Sequence, residues 1–97
     1  MANIEHLLKT RKKEILKIAK EHGVTSIQVF GSAARGESKS GSDIDFLVEV
    51  GPKHSPWFPA GLIADLEELL GVSADVVTKN ALHWYIRKDI LDEARPL

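Results

Sequence analysis

Two aspartates one residue apart, Asp43 and Asp45, begin a stretch in which apolar and polar residues alternate. On a β-strand, side chains two apart project to the same face, so these carboxylates form a like-charged pair that is costly unless something compensates it. A divalent cation is the natural compensation. Oxygen ligands in a chain without cysteine suit Mg²⁺ or Mn²⁺. Mg²⁺ characteristically takes one or two carboxylates and fills its other positions with water and substrate phosphate. An isolated Asp-x-Asp is more often a solvated strand end, so its weight depends on its surroundings.

Those surroundings contain a phosphate-binding signal. Gly31-Ser32 follows the β-branched and aromatic run Thr25 to Phe30, at the expected start of a helical turn, where free N–H groups and the helix dipole favour an anion. Glycine lets backbone approach a phosphate, and Ser32 adds a hydroxyl donor. Arg35 follows within one turn; its guanidinium either reaches the same phosphates or is solvated and paired with Glu37. Asp75 is the one acid in the apolar run 72–78, and an adjacent strand could carry it beside Asp43 and Asp45.

Three carboxylates facing a phosphate turn suit phosphoryl or nucleotidyl transfer. There, two cations roughly 3.5–4 Å apart clamp the attacking and leaving oxygens of an in-line displacement. In that arrangement Asp43 and Asp45 bridge both ions, and Asp75 ligates the ion that activates the incoming hydroxyl. Gly31 and Ser32 hold the β- and γ-phosphates.

The elements that must position these residues can be read from periodicity. Ile4, Leu7, Leu8, Ile15, Ile18 and Ala19 recur at helical spacing, predicting one amphipathic helix that Gly23 closes, with Arg11 inside its apolar arc. Arg11 reads better as a snorkelling residue at the core edge than as a phosphate ligand. Strands are expected over 25–30, 43–50 and 72–78, with Asp43, Asp45, Leu47 and Glu49 on one face of the second. Residues 33–42 read as a helical turn and surface loop. Ser55-Pro56 reads as the cap of a helix carrying Leu62, Ile63, Leu66, Leu69 and Leu70, which Gly71 ends. Asn80 caps a last helix with Leu82, Ile86 and Ile90 at i, i+4 spacing, stopped by Pro96.

At 97 residues and 43% hydrophobic content, the chain fits one compact domain, 1–97, without room for a second substrate-binding domain. Thirteen Lys and Arg against fourteen Asp and Glu give a net charge of −1, which argues against a nucleic-acid backbone as the main partner. The charge is uneven: residues 1–22 hold six Lys or Arg and three acids, while residues 37–75 hold eight acids and two Lys. No stretch approaches the roughly 20 apolar residues of a membrane span, and nothing resembles a signal peptide. The expectation is a soluble cytoplasmic protein.

Gly31-Ser32, ten residues, then Asp43-Ile44-Asp45 resembles the Gly-Ser-x10-Asp-x-Asp motif of the DNA polymerase beta-like nucleotidyltransferase superfamily. The likeness extends through Val29–Gly36 and Ser42–Val48 to Asp75-Val76-Val77, similar to the third-carboxylate strand of the minimal nucleotidyltransferase branch. It covers nearly the whole chain. The resemblance implies an α/β (α+β) nucleotidyltransferase fold, a short mixed sheet with helices packed mainly on the face opposite the acids. It also implies two Mg²⁺ ions and ATP as nucleotide donor. Members of this branch are similar to MntA-type antitoxins paired with a HEPN-domain toxin, and the implied activity is AMP transfer to a tyrosine of that toxin.

Two other functions stand beside this one. A non-catalytic module could neutralise a partner by contact, although a purely structural protein has no reason to keep a costly acidic cluster. Nucleotide transfer to a small molecule is the other, although only 22 residues follow Asp75, too few for an enclosing domain. His6, His22, His54 and His83 lack metal-ligand spacing and are assigned surface or cap roles. Trp57-Phe58 and Trp84-Tyr85 are either core or exposed patches for a partner, and of these Trp57 and Trp84 read as core or edge packing.

Overall fold

The computed structural model describes residues 4–31, Ala34, 43–53, 58–79 and 84–97, with 84–87 described as backbone. In chain order the elements are α1 (Ile4–Thr10), α2 (Lys12–Glu21), β1 (Val24–Phe30), β2 (Ile44–Val50), α3 (Ala60–Leu70), β3 (Ala74–Thr78), α4 (Trp84–Glu93) and β4 (Arg95–Pro96). The strands form a mixed sheet in the order β3-β2-β1-β4. β2 runs antiparallel to β1 and parallel to β3, and β4 is antiparallel to β1. The parallel pair follows from α3, which crosses between β2 and β3 and returns the chain in the same direction.

One face of the sheet supplies the core. Ile44, Phe46 and Val48 alternate along β2 and are fully buried, as are Ile15, Leu62 and Leu66 from the covering helices. α2 packs on β1 and on α3, and α3 packs on β3, so these helices lie on the face away from Asp45. Gly71 ends α3 in the left-handed conformation with φ 70°, its N–H donating to the Glu67 carbonyl at 2.8 Å. Leu47 departs from a simple two-sided strand. It projects with the acids yet is 0% exposed, so part of the acid-bearing face is covered too.

The single N-terminal helix expected over 4–22 is broken at Arg11, which has φ −102° and ψ 8°. The backbone ladder nonetheless passes through, from Arg11 N–H to Leu7 O at 3.0 Å and from Ile15 N–H to Arg11 O at 2.9 Å. Thr10 explains the kink. Its hydroxyl donates to the His6 carbonyl at 2.9 Å, the back-bonding by Thr that bends helices. The bend lets Ile4 and Leu8 of α1 and Ile15 and Ala19 of α2 enter the same core. Arg11 is exposed rather than at a core edge, and its Nη1 pairs with Glu14 Oε1 at 2.9 Å.

At the other terminus the expected stop at Pro96 becomes a strand. α4 ends at Glu93, and Arg95 and Pro96 pair with Val29 and Gln28 at the sheet edge, where a proline without an N–H is tolerated. The expected caps at Ser55-Pro56 and Asn80, the contact of Leu82, and Trp57 lie outside the described residues, as do His54 and His83. Phe58 is half-buried and packs against the core. His22 has a structural role. At the end of α2 its Nε2 meets Asp65 Oδ2 of α3 at 2.7 Å, joining the two covering helices.

The β3 edge is protected by carboxylates. Ile44 N–H donates to Ser73 O at 2.9 Å, and in the parallel register that follows, the N–H groups of Ala74 and Val76 face away from β2. Glu67 Oε2 accepts from Ala74 N–H at 2.9 Å, and Asp75 Oδ1 accepts from Val76 N–H at 3.0 Å. Acceptors already placed on an edge discourage strand addition by another chain. Glu67→Ala is therefore expected to lower stability by about 1–2 kcal/mol, the cost of one part-buried N–H losing a charged acceptor. Urea unfolding checks this, and a loss under 0.3 kcal/mol, on the order of scatter between surface variants, sinks the cap.

Candidate active site

The strand register builds the acid site as one row across the sheet. Phe30 of β1 is directly opposite Asp45 of β2, and Asp45 is paired with Asp75 of β3. Directly paired residues share a face with their Cβ atoms about 5 Å apart, so Asp45 and Asp75 are adjacent on the same side. Asp43 stands just before β2, exposed, at the entrance to the row. Burial pushes the Asp45 carboxyl above its ordinary range, and the charges of Asp75, Asp43 and Glu93 push it in the same direction.

Gly31 closes the site from the β1 side. Its φ is +70°, and a Cβ there would lie 2.6 Å from Asp45 Oδ2, so the carboxylate rests directly against this backbone. A Cβ would fit there only if the Asp45 carboxylate moved away. The two motifs, twelve residues apart in sequence, are thereby one site, because β1 and β2 pair antiparallel with the turn at their shared end. The structure brings together Gly31, Asp43, Asp45 and Asp75. Ser32 and Arg35 lie outside the described residues.

Asp75 has a fixed orientation within this row. Its Oδ1 is engaged by the Val76 N–H on the outer edge, which holds the rotamer and leaves Oδ2 for another partner. The sequence reading singled out the three aspartates as candidates and not Glu93, whose charge also acts on Asp45. One signal for it was present: Asp92 and Glu93 end a helix with no basic residue in its last turn, where the dipole disfavours negative charge.

The donors fit an Mg²⁺ ion in type: carboxylate oxygens only, one of them half-buried and held against a backbone turn. Among the described residues no three His, Asp or Glu side chains form a ready metal cage. Mg²⁺ is characteristically bound through one or two carboxylates together with water and substrate phosphates, so a nucleotide would have to complete such a site. A cavity of about 240 Å³ lies elsewhere, at the far end of the same strands, lined by Thr25, Val48, Glu49, Val50, Thr78 and Lys79. Lys79 Nζ and Glu49 Oε1 are 3.3 Å apart there, so its charges answer one another and not the aspartate row.

With this geometry in place, known proteins supply the context. The nucleotidyltransferase domain family profile matches residues 12–97. MJ0435 of Methanocaldococcus jannaschii, which carries a protein adenylyltransferase name, is 45% identical over 83 residues, covering 86% of this chain and 89% of that protein. Protein adenylyltransferase MntA of Thermococcus cleftensis is 40% identical over 93 residues, 96% of this chain and 91% of the relative. A solved structure described as a minimal nucleotidyltransferase superposes with a TM-score of 0.86 at 38% identity, covering 99% of this chain and 97% of its own. A toxin-antitoxin structure with AMP-PNP shares the fold, with a TM-score of 0.74 at 20% identity over 88% of this chain and 70% of that one. Sequence likeness across most of its length, and a mixed sheet that seats an aspartate carboxylate on a glycine turn, agree: this chain belongs to the nucleotidyltransferase domain family.

Proposed function

We propose that this chain is an Mg²⁺-dependent protein adenylyltransferase, a single minimal domain over residues 1–97 that acts in the cytoplasm as the antitoxin of a HEPN-type toxin. The observation that carries the reading is the Asp45 carboxylate seated on Gly31 and in register with Asp75. The family supports nucleotidyl transfer as the chemistry. The protein acceptor is supported by the names of the relatives, and the toxin by structural neighbours that are MntA-HepT toxin-antitoxin complexes.

In this reading the Gly31-Ser32 turn binds the β- and γ-phosphates of ATP through backbone N–H groups and the Ser32 hydroxyl, with Arg35 contributing charge. Asp43, Asp45 and Asp75 would contribute carboxylate ligands to Mg²⁺, which when bound would supply charge neutralisation and polarisation of the reacting oxygens. Asp75 accepts the proton of the incoming tyrosine hydroxyl. The hydroxyl oxygen forms a bond to the α-phosphorus, the bond from that phosphorus to the α,β-bridging oxygen breaks, and pyrophosphate leaves. Asp45, fixed against Gly31, keeps the donor aligned with the acceptor. The rest of the binding surface comes from the partner.

The test uses ATP labelled at the α-phosphate, Mg²⁺, this chain and the HEPN-type protein encoded beside it. Label is expected on a partner tyrosine, with one pyrophosphate released per label transferred. Neutralisation of the toxin without any label transfer would instead establish a contact-only antitoxin. Modification of a small hydroxylated molecule in the absence of any protein would establish the third reading.

A further inference from the structure

The outward side of α2 carries charge that neither the fold nor the proposed reaction uses. Ile15 and Ala19 turn into the core, and on the opposite side Lys13, Lys17 and Lys20 fall within an arc of about 60°. All three are exposed. The backbone ladder continues through the bend at Arg11, so Lys9 stands one turn before Lys13 on the same side. Among the described residues none of these four lysines takes part in an ion pair. The acids of α2, Glu14 and Glu21, border the row without neutralising it, and Glu14 is engaged by Arg11. Leu16 adjoins the row at 43% exposure, the one large hydrophobic side chain exposed among the described residues.

This arrangement runs against local preference. Lys9, Lys13, Lys17 and Lys20 follow one another at i, i+4 and i, i+3 spacing, at which like charges repel along a helix. Lys13 also stands in the first turn of α2, where the dipole favours acids. Departures of this kind concentrate where a residue has a function beyond the fold. The complement of a basic row with an apolar side chain at its edge is an acidic surface with an apolar recess. Charge steers and orients the encounter, and the leucine adds buried apolar area. A nucleic-acid backbone would match the lysines but leave Leu16 in water and meet Glu14 and Glu21 alongside, on a chain of net charge −1. α2 packs on the sheet face away from Asp45, so an occupant of its outward side leaves the acid row open.

We infer that Lys9, Lys13, Lys17, Lys20 and Leu16 form a docking surface for an acidic face of the partner protein, separate from the surface that receives the acceptor hydroxyl. Retention of the partner is thereby independent of nucleotide and of the acid row. The inference rests on the antitoxin reading for the identity of the partner and not on the transfer chemistry.

The experiment measures binding of the purified HEPN-type protein encoded beside this chain by calorimetry, without ATP or Mg²⁺. It compares wild type, a Lys13→Gln/Lys17→Gln/Lys20→Gln variant, Leu16→Ser, and Lys53→Gln, an exposed lysine after β2. Kd is expected to rise about 30-fold in the triple variant, from the loss of three interfacial charges. Leu16→Ser is expected to weaken binding about 5-fold, and Lys53→Gln to match wild type. Glutamine keeps the helix propensity of lysine and removes the repulsion, so the triple variant should melt at or above wild type. The corresponding triple arginine variant, which keeps the charge, should bind as wild type does. An unmoved Kd in the triple glutamine variant overturns the surface. An equal loss in Lys53→Gln overturns it in favour of general attraction, and absence of binding by wild type overturns it outright. Loss of affinity for a single-stranded RNA oligonucleotide in the triple variant, with its Kd for the protein unchanged, assigns the row to nucleic acid instead. If the row-dependent Kd stands while label transfer fails, the proposed chemistry falls and the docking surface remains.

Discussion

Asp45→Asn is expected to reduce adenylyl transfer by about 10³-fold, equivalent to roughly 4 kcal/mol of transition-state stabilisation, while making the metal-free protein more stable. The two effects have one origin. Asp45 is half-buried in the row where Asp43 and Asp75 are exposed, so its carboxylate is the least hydrated of the three. A buried charge is worth most when a cation meets it and costs most when none does. Asparagine preserves the shape and one oxygen but removes the charge. Asp43→Asn, at the exposed entrance to the row, is expected to lose less.

The pH dependence separates this from a general loss of structure. Burial and neighbouring acids raise the Asp45 carboxyl above its ordinary value, so within the interval between those values the folded state binds more protons than the unfolded state. Stability of the metal-free wild type therefore falls as pH rises through that interval. Asp45→Asn lacks this contribution. Its advantage should be full above the raised value and vanish as pH falls to the ordinary carboxylate range. Melting curves in a chelator from acid to neutral pH make the measurement. A mutant that melts below wild type at neutral pH shows that Asp45 supports the fold instead of straining it.

How much of this was legible before the structure depends on which interactions are local. The three sheet strands appeared where alternation of period two placed them, within a residue or two of the observed ends, because Ile44, Phe46 and Val48 must all enter one core. Asp75 stood out as the one acid in an apolar run, whereas Asp43 and Asp45 drew weight from the Gly31-Ser32 turn that precedes them. The kink at Arg11 was hidden because it depends on the rotamer of Thr10, which can hydrogen-bond backward or face solvent without altering the apolar pattern. β4 was hidden because two residues carry no periodicity, and its proline reads locally as a terminator. Leu47 looked solvent-facing by alternation, but its burial depends on coverage that the strand itself does not encode. Ser32 and Arg35 lie outside the described residues, so their proposed phosphate contacts rest on the sequence alone.

Gly31→Ala is expected to cost about 10²-fold in transfer at a stability loss of only about 1–2 kcal/mol. The stability term is the strain of placing an L-residue at φ +70°. The activity term comes from the new Cβ, which would sit 2.6 Å from Asp45 Oδ2. The far end of a flexible side chain yields more easily than backbone, so the clash is relieved by rotation of the Asp45 carboxylate. That is the atom the proposed chemistry needs in place, and a displacement of about 1 Å can cost about 10²-fold in rate. Gly71→Ala provides the matched control: its φ is also +70°, but nothing lies within 4 Å of its added Cβ. Both variants should lose similar stability in urea unfolding, and only Gly31→Ala should lose transfer measured on fully folded protein. Equal activity in the two would falsify the seating of Asp45 on the turn as a catalytic requirement. Because the clash is relieved by rotation of the carboxylate, the stability cost of Gly31→Ala is backbone strain, and it should be unchanged in an Asp45→Ala background, the two effects on stability adding.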